Sequence, residues 1–241
     1  MPSAVHAPVT WLASYPRSGN TLLRTILKRC FEQPSQSIYD DSELLDPELS
    51  QIVGHETLGN DAPAFIARAT RSGRSLYVKT HEMPPADRHP SIYVVRDGRS
   101  AMVSHAHYVR EILGRDITLA EVIEGKAGQH WSRHVRAWMP RPKTLLVRYE
   151  DLAAGDAATL KKISDFIGKP QLHAFDISFA ALHALSPAFF RSGSDSANIL
   201  EMDGEAQRLF ERLHGETLRT LHYGGAARGA QADACANAVN G

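Results

Sequence analysis

The chain has 241 residues, 43% of them apolar, and its 27 Lys+Arg equal its 27 Asp+Glu. That length is enough to bury a full core as one domain, and zero formal charge argues against a dedicated nucleic-acid binder. Two cysteines far apart in sequence, Cys30 and Cys235, make no disulfide framework and suit a reducing compartment. No apolar run approaches the roughly 20 residues of a membrane span, and no basic-then-apolar leader opens the chain, so the expected location is cytoplasmic.

In chain order, residues 1–8 read as a loose lead-in. Residues 9–14 form a short apolar strand bounded by Pro8 and Pro16. Leu22, Leu23, Ile26 and Leu27 follow at helical spacing. Between them lies Tyr15-Pro16-Arg17-Ser18-Gly19-Asn20-Thr21. Gly19 permits a tight turn, and the amides of residues 18–21 open the helix with N–H groups that attract an anion. Arg17 adds charge; Ser18 and Thr21 add hydroxyls. The loop is not a Walker A motif, which needs a second glycine and a following lysine. Taken alone, it reads equally as an ordinary βα turn carrying a surface arginine.

Residues 32–62 are polar and acidic and read as a solvated segment, or as a lid. Residues 63–70 carry a helical pattern. Strands are expected at 75–79, leading into Thr80 and His81, and at 91–95, whose continuous apolar run suits a parallel strand buried on both faces. Arg96-Asp97-Gly98-Arg99 then opens a helix to about Arg110. Thr118 with Glu121 makes a capping box, and residues 128–138 read as a helix with Trp131, Val135 and Trp138 on related faces. A fourth strand, 144–148, precedes Tyr149. A helix around Leu160–Ile167 stops at Gly168 and Pro170. Residues 172–185 and 205–221 read as further helices, and 224–241 as a disordered Gly/Ala-rich tail. The alternation predicts an α/β fold with a mainly parallel sheet covered on both sides. Ligands bind such sheets at the carboxyl ends of the strands, and all four expected ends are polar: Arg17, Lys79 with His81, Arg96, and Tyr149.

With these residues in view, the chain resembles the sulfotransferases that use 3′-phosphoadenosine 5′-phosphosulfate (PAPS), with their P-loop-like strand-loop-helix. Residues 15–21 resemble the family's 5′-phosphosulfate loop. Arg96 followed eight residues later by Ser104 is similar to its 3′-phosphate motif. Lys79-Thr80-His81 resembles its catalytic strand end, and Arg148-Tyr149-Glu150-Asp151 its nucleoside-proximal one. Ser178-Phe179 and Phe190-Arg191-Ser192-Gly193 are similar to its late adenine and 3′-phosphate segments. The matches keep the family's order over residues 11–193. Two positions depart from the pattern: Leu22 stands where cytosolic members often carry a base-stacking tryptophan, and Ser194-Asp195 replaces a basic continuation.

The resemblance implies one domain over residues 1–223 and transfer of a sulfuryl group from PAPS to a hydroxyl, less readily an amine, by in-line displacement. His81 is then the general base, and histidine titrates near working pH. Lys79 and Arg17 stabilise charge on the bridging oxygen and the leaving phosphate. Arg17, Ser18, Gly19, Asn20 and Thr21 hold the 5′-phosphate, and Arg96, Ser104, Arg191, Ser192 and Gly193 the 3′-phosphate. Tyr149 and Phe179 are candidates for the adenine, although a helical aromatic also reads as core. Adenosine 3′,5′-bisphosphate (PAP) is the implied product, and no metal is called for. His130 and His134 share a helical face, but packing beside Trp131 and Trp138 explains them better than zinc. The implied acceptor is a small molecule, lipid or sugar-lipid. A homodimer stays open, since the family's short C-terminal dimer motif has no convincing match. A P-loop-type small-molecule kinase and a catalytically silent nucleotide-binding module are the competing readings.

Overall fold

The computed structural model describes residues 9–39, 47–58, 62–176, 179–185 and 195–223. Its elements in chain order are β1 Val9–Ser14, α1 Asn20–Phe31, β2 Ser35–Ser37, α2 Pro47–Val53, β3 His55–Glu56, α3 Ala62–Ser72, β4 Leu76–Thr80, β5 Ser91–Val95, α4 Gly98–Glu111, α5 Leu119–Ile123 and α6 Trp131–Trp138. Then come β6 Thr144–Arg148, α7 Tyr149–Ala153, α8 Ala157–Ile167, α9 Phe179–Leu185, α10 Asp195–Leu200 and α11 Gly204–Thr220. The described residues fall into two compact units, one from 1–95 and 137–178 and the other from 96–136 and 179–241.

The first unit holds a six-stranded sheet of order β3-β2-β4-β1-β5-β6 among the described residues. Every pairing is parallel, as the α/β alternation predicts. β1 is central, with Leu12 opposite Lys79 on one side and Ile92 on the other. Leu12, Ala13, Val78, Ile92 and Val94 are fully buried. Both faces are covered, which is why β1 and β5 show apolar runs without alternation. Helix α1 buries Leu23, Ile26, Leu27 and Cys30, the face its spacing marks. The chain leaves β1 to one side and returns on the other through β5, so β1 lies at a topological switch point.

The sequence predicts four strands, and the sheet has six. β2 and β3 come from the segment read as solvated, and both escape an apolar pattern because they are short and polar. Ser35, Gln36 and Ser37 are nonetheless buried. Partners offset much of the cost of burying them: Arg24 Nε donates to Ser35 Oγ at 2.8 Å, Arg24 Nη2 to His55 Nδ1 at 2.9 Å, and Gln36 Nε2 to Glu56 Oε2 at 2.8 Å, while Gln36 Oε1 is left unpartnered. Of the helix expected over 172–185, residues 172–176 are not helical, and Phe179–Leu185 form α9. The N–H groups of Leu172 and His173 donate instead to the Cys30 carbonyl, at 2.8 and 3.3 Å. Helix α8 starts on Asp156, whose carboxylate accepts from Thr159 N–H at 2.7 Å, and stops at Gly168 as expected.

In the second unit, Thr118 and Glu121 form the expected capping box. Helix α6 starts at Trp131 rather than 128, because Gly128 has φ +125°. Trp131, Phe210 and His214 pack together, with ring centroids 5.0–6.0 Å apart. His214 Nε2–H donates to the Ile123 carbonyl at 2.8 Å, and its Nδ1 accepts from the buried Ser132 hydroxyl at 2.7 Å. The His130 ring lies 4.4 Å from His214. Among the described residues no three His, Cys, Asp or Glu side chains group as metal ligands, and no helix is long and apolar enough to cross a membrane.

Candidate active site

The loop after β1 is built on two left-handed residues. Arg17 has φ +63°, uncommon for a side-chain-bearing residue. Gly19, the N-cap of α1, has φ +102° and ψ +20°. A Cβ on Gly19 would lie 2.6 Å from Tyr149 Cδ2, so the ring of Tyr149 and the absent side chain of Gly19 fit one another. Ser18 N–H donates to the Tyr15 carbonyl at 3.2 Å, closing the turn. Asn20 Nδ2 reaches back to the Leu12 carbonyl at 2.8 Å, tying the helix start to the strand. Left-handed residues of this kind occur in the turns whose amides form anion-binding concavities. The first turn of α1 adds amides with no intrahelical acceptor.

One side-chain atom points to an anion there. Ser18 is 1% exposed, yet its Oγ has no hydrogen-bond partner. Asn20 Oδ1 is likewise buried and unpartnered, but an amide oxygen only accepts and offers an anion nothing. Buried polar atoms are almost always satisfied, so a hydroxyl left over at a helix start fits a phosphate-sized anion. Thr21 is half-exposed, and its carbonyl accepts from Thr25 Oγ1.

Lys79 and His81 stand at the end of β4, next to β1 in the sheet. His81 Nδ1 lies 2.9 Å from the Ser14 carbonyl and 3.3 Å from Ser14 Oγ. A carbonyl only accepts, so Nδ1 carries the proton, and Nε2 is left as the basic nitrogen. The following loop is braced from the first unit's own residues. Trp138 Nε1 donates to the Glu82 carbonyl at 3.0 Å, and Asp87 accepts from Trp11 Nε1 at 2.9 Å. Arg141 pairs with Asp87 and donates to the Pro85 carbonyl at 2.6 Å.

One residue at this strand end escapes the sequence reading. Tyr39 lies just beyond β2, where Ser37 is in register with Lys79. Its hydroxyl accepts from His81 N–H at 2.8 Å and donates to Glu82 Oε1 at 3.1 Å. Its ring stacks on the His81 imidazole, centroids 5.8 Å apart and planes at 22°. Lys79 Nζ sits 5.4 Å over the same ring. Burial pushes the Tyr39 hydroxyl up to about 12, so it stays protonated. The only sequence signal was a tyrosine after a short Ser-Gln-Ser run.

The loop of residues 17–21, Lys79, His81 and Tyr149 all belong to the first unit. Tyr149 is half-buried at the start of α7. In the second unit, Arg96 and Ser104 are both buried, at 6% and 5% exposure, and Ser104 lies on α4. Asp97 caps α4 by accepting from Arg99 N–H at 2.9 Å, and it also takes the Arg99 guanidinium at 2.6 and 3.0 Å. Phe179 is the first residue of α9. Ser178, Arg191, Ser192 and Gly193 lie outside the described residues, as does the tail from 224.

The sulfotransferase domain family matches residues 7–212 of the chain. The flavonol 3-sulfotransferase of Flaveria bidentis is 26% identical over 192 residues, covering 68% of this chain and 58% of that protein. Cytosolic sulfotransferase 3 of Arabidopsis thaliana is 27% identical over 172 residues, covering 66% and 52%. The chain thus spans little more than half the length of these relatives. Among solved structures, mouse sulfotransferase SULT7A1 complexed with PAP superposes with a TM-score of 0.64 at 21% identity, over 88% of this chain and 85% of that one. Retinol dehydratase, in complex with androsterone and PAP, gives 0.57 at 20% identity, over 88% and 80%.

Proposed function

The chain belongs to the sulfotransferase domain family, and from that premise we propose that it moves a sulfuryl group from PAPS to the hydroxyl of a small acceptor. The observation that carries the proposal is His81, held through Nδ1 by Ser14 with Nε2 left basic, at a strand end beside the loop that holds the unpartnered Ser18 hydroxyl.

In this reading the amides of residues 19–21 and the Ser18 hydroxyl hold the 5′-phosphate; the Ser18 N–H, expected among them from sequence, is taken by the Tyr15 carbonyl. Arg17 and Lys79 face the oxygen that bridges sulfur and phosphorus. His81 Nε2 takes the proton of the acceptor hydroxyl as its oxygen attacks sulfur in line. The new S–O bond forms as the bridging S–O bond breaks, and the electron pair leaves on the phosphate of PAP. Lys79 and Arg17 stabilise that developing charge, a contribution that grows where water is excluded. Arg96 and Ser104 bind the 3′-phosphate, with Arg96 suited to a two-pronged contact. Arg191, Ser192 and Gly193 are further candidates for that phosphate, and Tyr149 and Phe179 are the candidates for the adenine. The acceptor is a small hydroxylated molecule: one relative is named for a flavonol, and one fold neighbour was solved with androsterone.

The test is transfer of labelled sulfate from PAPS to a panel holding a flavonol, 2-naphthol, a sterol and an amine. Transfer to at least one hydroxyl, lowered about a hundredfold or more in His81→Ala with PAP binding retained, is expected. Transfer undiminished in His81→Ala contradicts the assignment of the base.

A further inference from the structure

We propose that Tyr39 is a positioning residue for the transfer: it fixes the imidazole of His81 and the ammonium of Lys79 in one arrangement through a single side chain. The inference rests on the reading of His81 as the base.

Four separate contacts converge on Tyr39. Its hydroxyl accepts the backbone N–H of His81 and donates to the carboxylate of Glu82. Its ring stacks on the imidazole of His81, and Lys79 Nζ lies over it. Tyr39 is itself held, because its N–H donates to Ser37 Oγ at 3.1 Å and Ser37 is buried in β2. The imidazole is therefore fixed from two directions. Ser14 sets which nitrogen carries the proton, and Tyr39 sets where the ring plane stands. Neither of these two contacts is made through Nε2.

The ammonium over the ring is the second half of the device. A cation on an aromatic face is drawn to the ring's negative quadrupole without forming a short ion pair. The position of Lys79 is thereby restricted. Held groups lose less freedom when the reacting geometry forms, and small misplacements are costly. Glu82 has the complementary part: by accepting the hydrogen bond of the Tyr39 O–H it turns the hydroxyl lone pairs toward His81 N–H.

The experiment compares Tyr39→Phe, Tyr39→Leu and His81→Asn with the wild type. Two readouts are taken on each: nitrogen-15 histidine spectra of the PAP-bound protein, and the pH profile of kcat for sulfate transfer from PAPS to 2-naphthol, with water as acceptor where naphthol is poor. In the wild type, His81 is expected as the single Nδ1–H form. Tyr39→Leu is expected to give mixed tautomers, a shifted acidic limb and a kcat about tenfold lower, with KM for PAPS unchanged. Tyr39→Phe keeps the ring and is expected to recover most of that loss.

A His81 spectrum and pH profile unaltered in Tyr39→Leu overturn the inference while leaving His81 as base. An altered spectrum with unchanged kcat also overturns it. Full activity in His81→Asn removes the base itself, and this inference with it.

Discussion

Acidification should destabilise the fold through His214, and the structure sets both sign and size. His214 is 1% exposed and uses both ring nitrogens in its neutral form, donating to Ile123 and accepting from Ser132. Adding a proton to Nδ1 removes the acceptor that the Ser132 hydroxyl faces. Burial, with the charges of His130 and Arg136 nearby, lowers the His214 pKa from 6.5 to about 4, while the bond to Ile123 opposes the shift. Because the folded value lies below the unfolded one, the contribution is fully present above pH 6.5. It is lost as pH falls through the window from 6.5 toward about 4. At about pH 4.5 the unfolded chain carries this proton almost completely and the folded chain only in part, which amounts to about 2–3 kcal/mol of lost stability. That is a sizeable share of a domain's total. Urea unfolding followed by circular dichroism, at about pH 7.5 and about pH 4.5, measures it. His214→Gln cannot titrate, so its stability should fall less over the interval, by about that difference. Parallel losses in wild type and variant would refute the reasoning.

Two further predictions concern the loop. Gly19→Ala places a methyl 2.6 Å from the Tyr149 ring at φ +102°. It should cost about 1–2 kcal/mol of stability and weaken PAP about tenfold, as read by thermal unfolding and calorimetry. Ser18→Ala should separate stability from binding. Removing a buried hydroxyl that has no partner should leave the melting temperature unchanged or raise it slightly, while PAP affinity falls about tenfold; a lower melting temperature would mean the hydroxyl is satisfied within the fold.

What the sequence made legible follows from which forces are local. β1, β4 and β5 carry buried apolar runs and α1 a buried apolar face, while β6 carries an apolar run of which only Val147 is buried. The Thr118 box and the Gly168 stop are set by neighbours within a few residues. The loop could be located from Gly19 but not its reason: the packing of Gly19 against Tyr149 joins residues 130 positions apart in sequence. β2 and β3 are invisible because Ser35, Gln36 and His55 are held by distant polar partners such as Arg24 and Glu56. Tyr39 is missed for the same reason. Its meaning arises only when β2 pairs with β4 and brings it onto His81.

The central claim is a donor site that reads both phosphates of PAP, and calorimetric titration tests it most directly. PAP, ATP and 5′-AMP are each titrated into the protein in chelator. The account predicts micromolar PAP binding, about 8 kcal/mol, with 5′-AMP much weaker for lack of the 3′-phosphate that Arg96 and Ser104 would hold. No binding of PAP, or a magnesium-dependent preference for ATP, would contradict the account and favour a kinase.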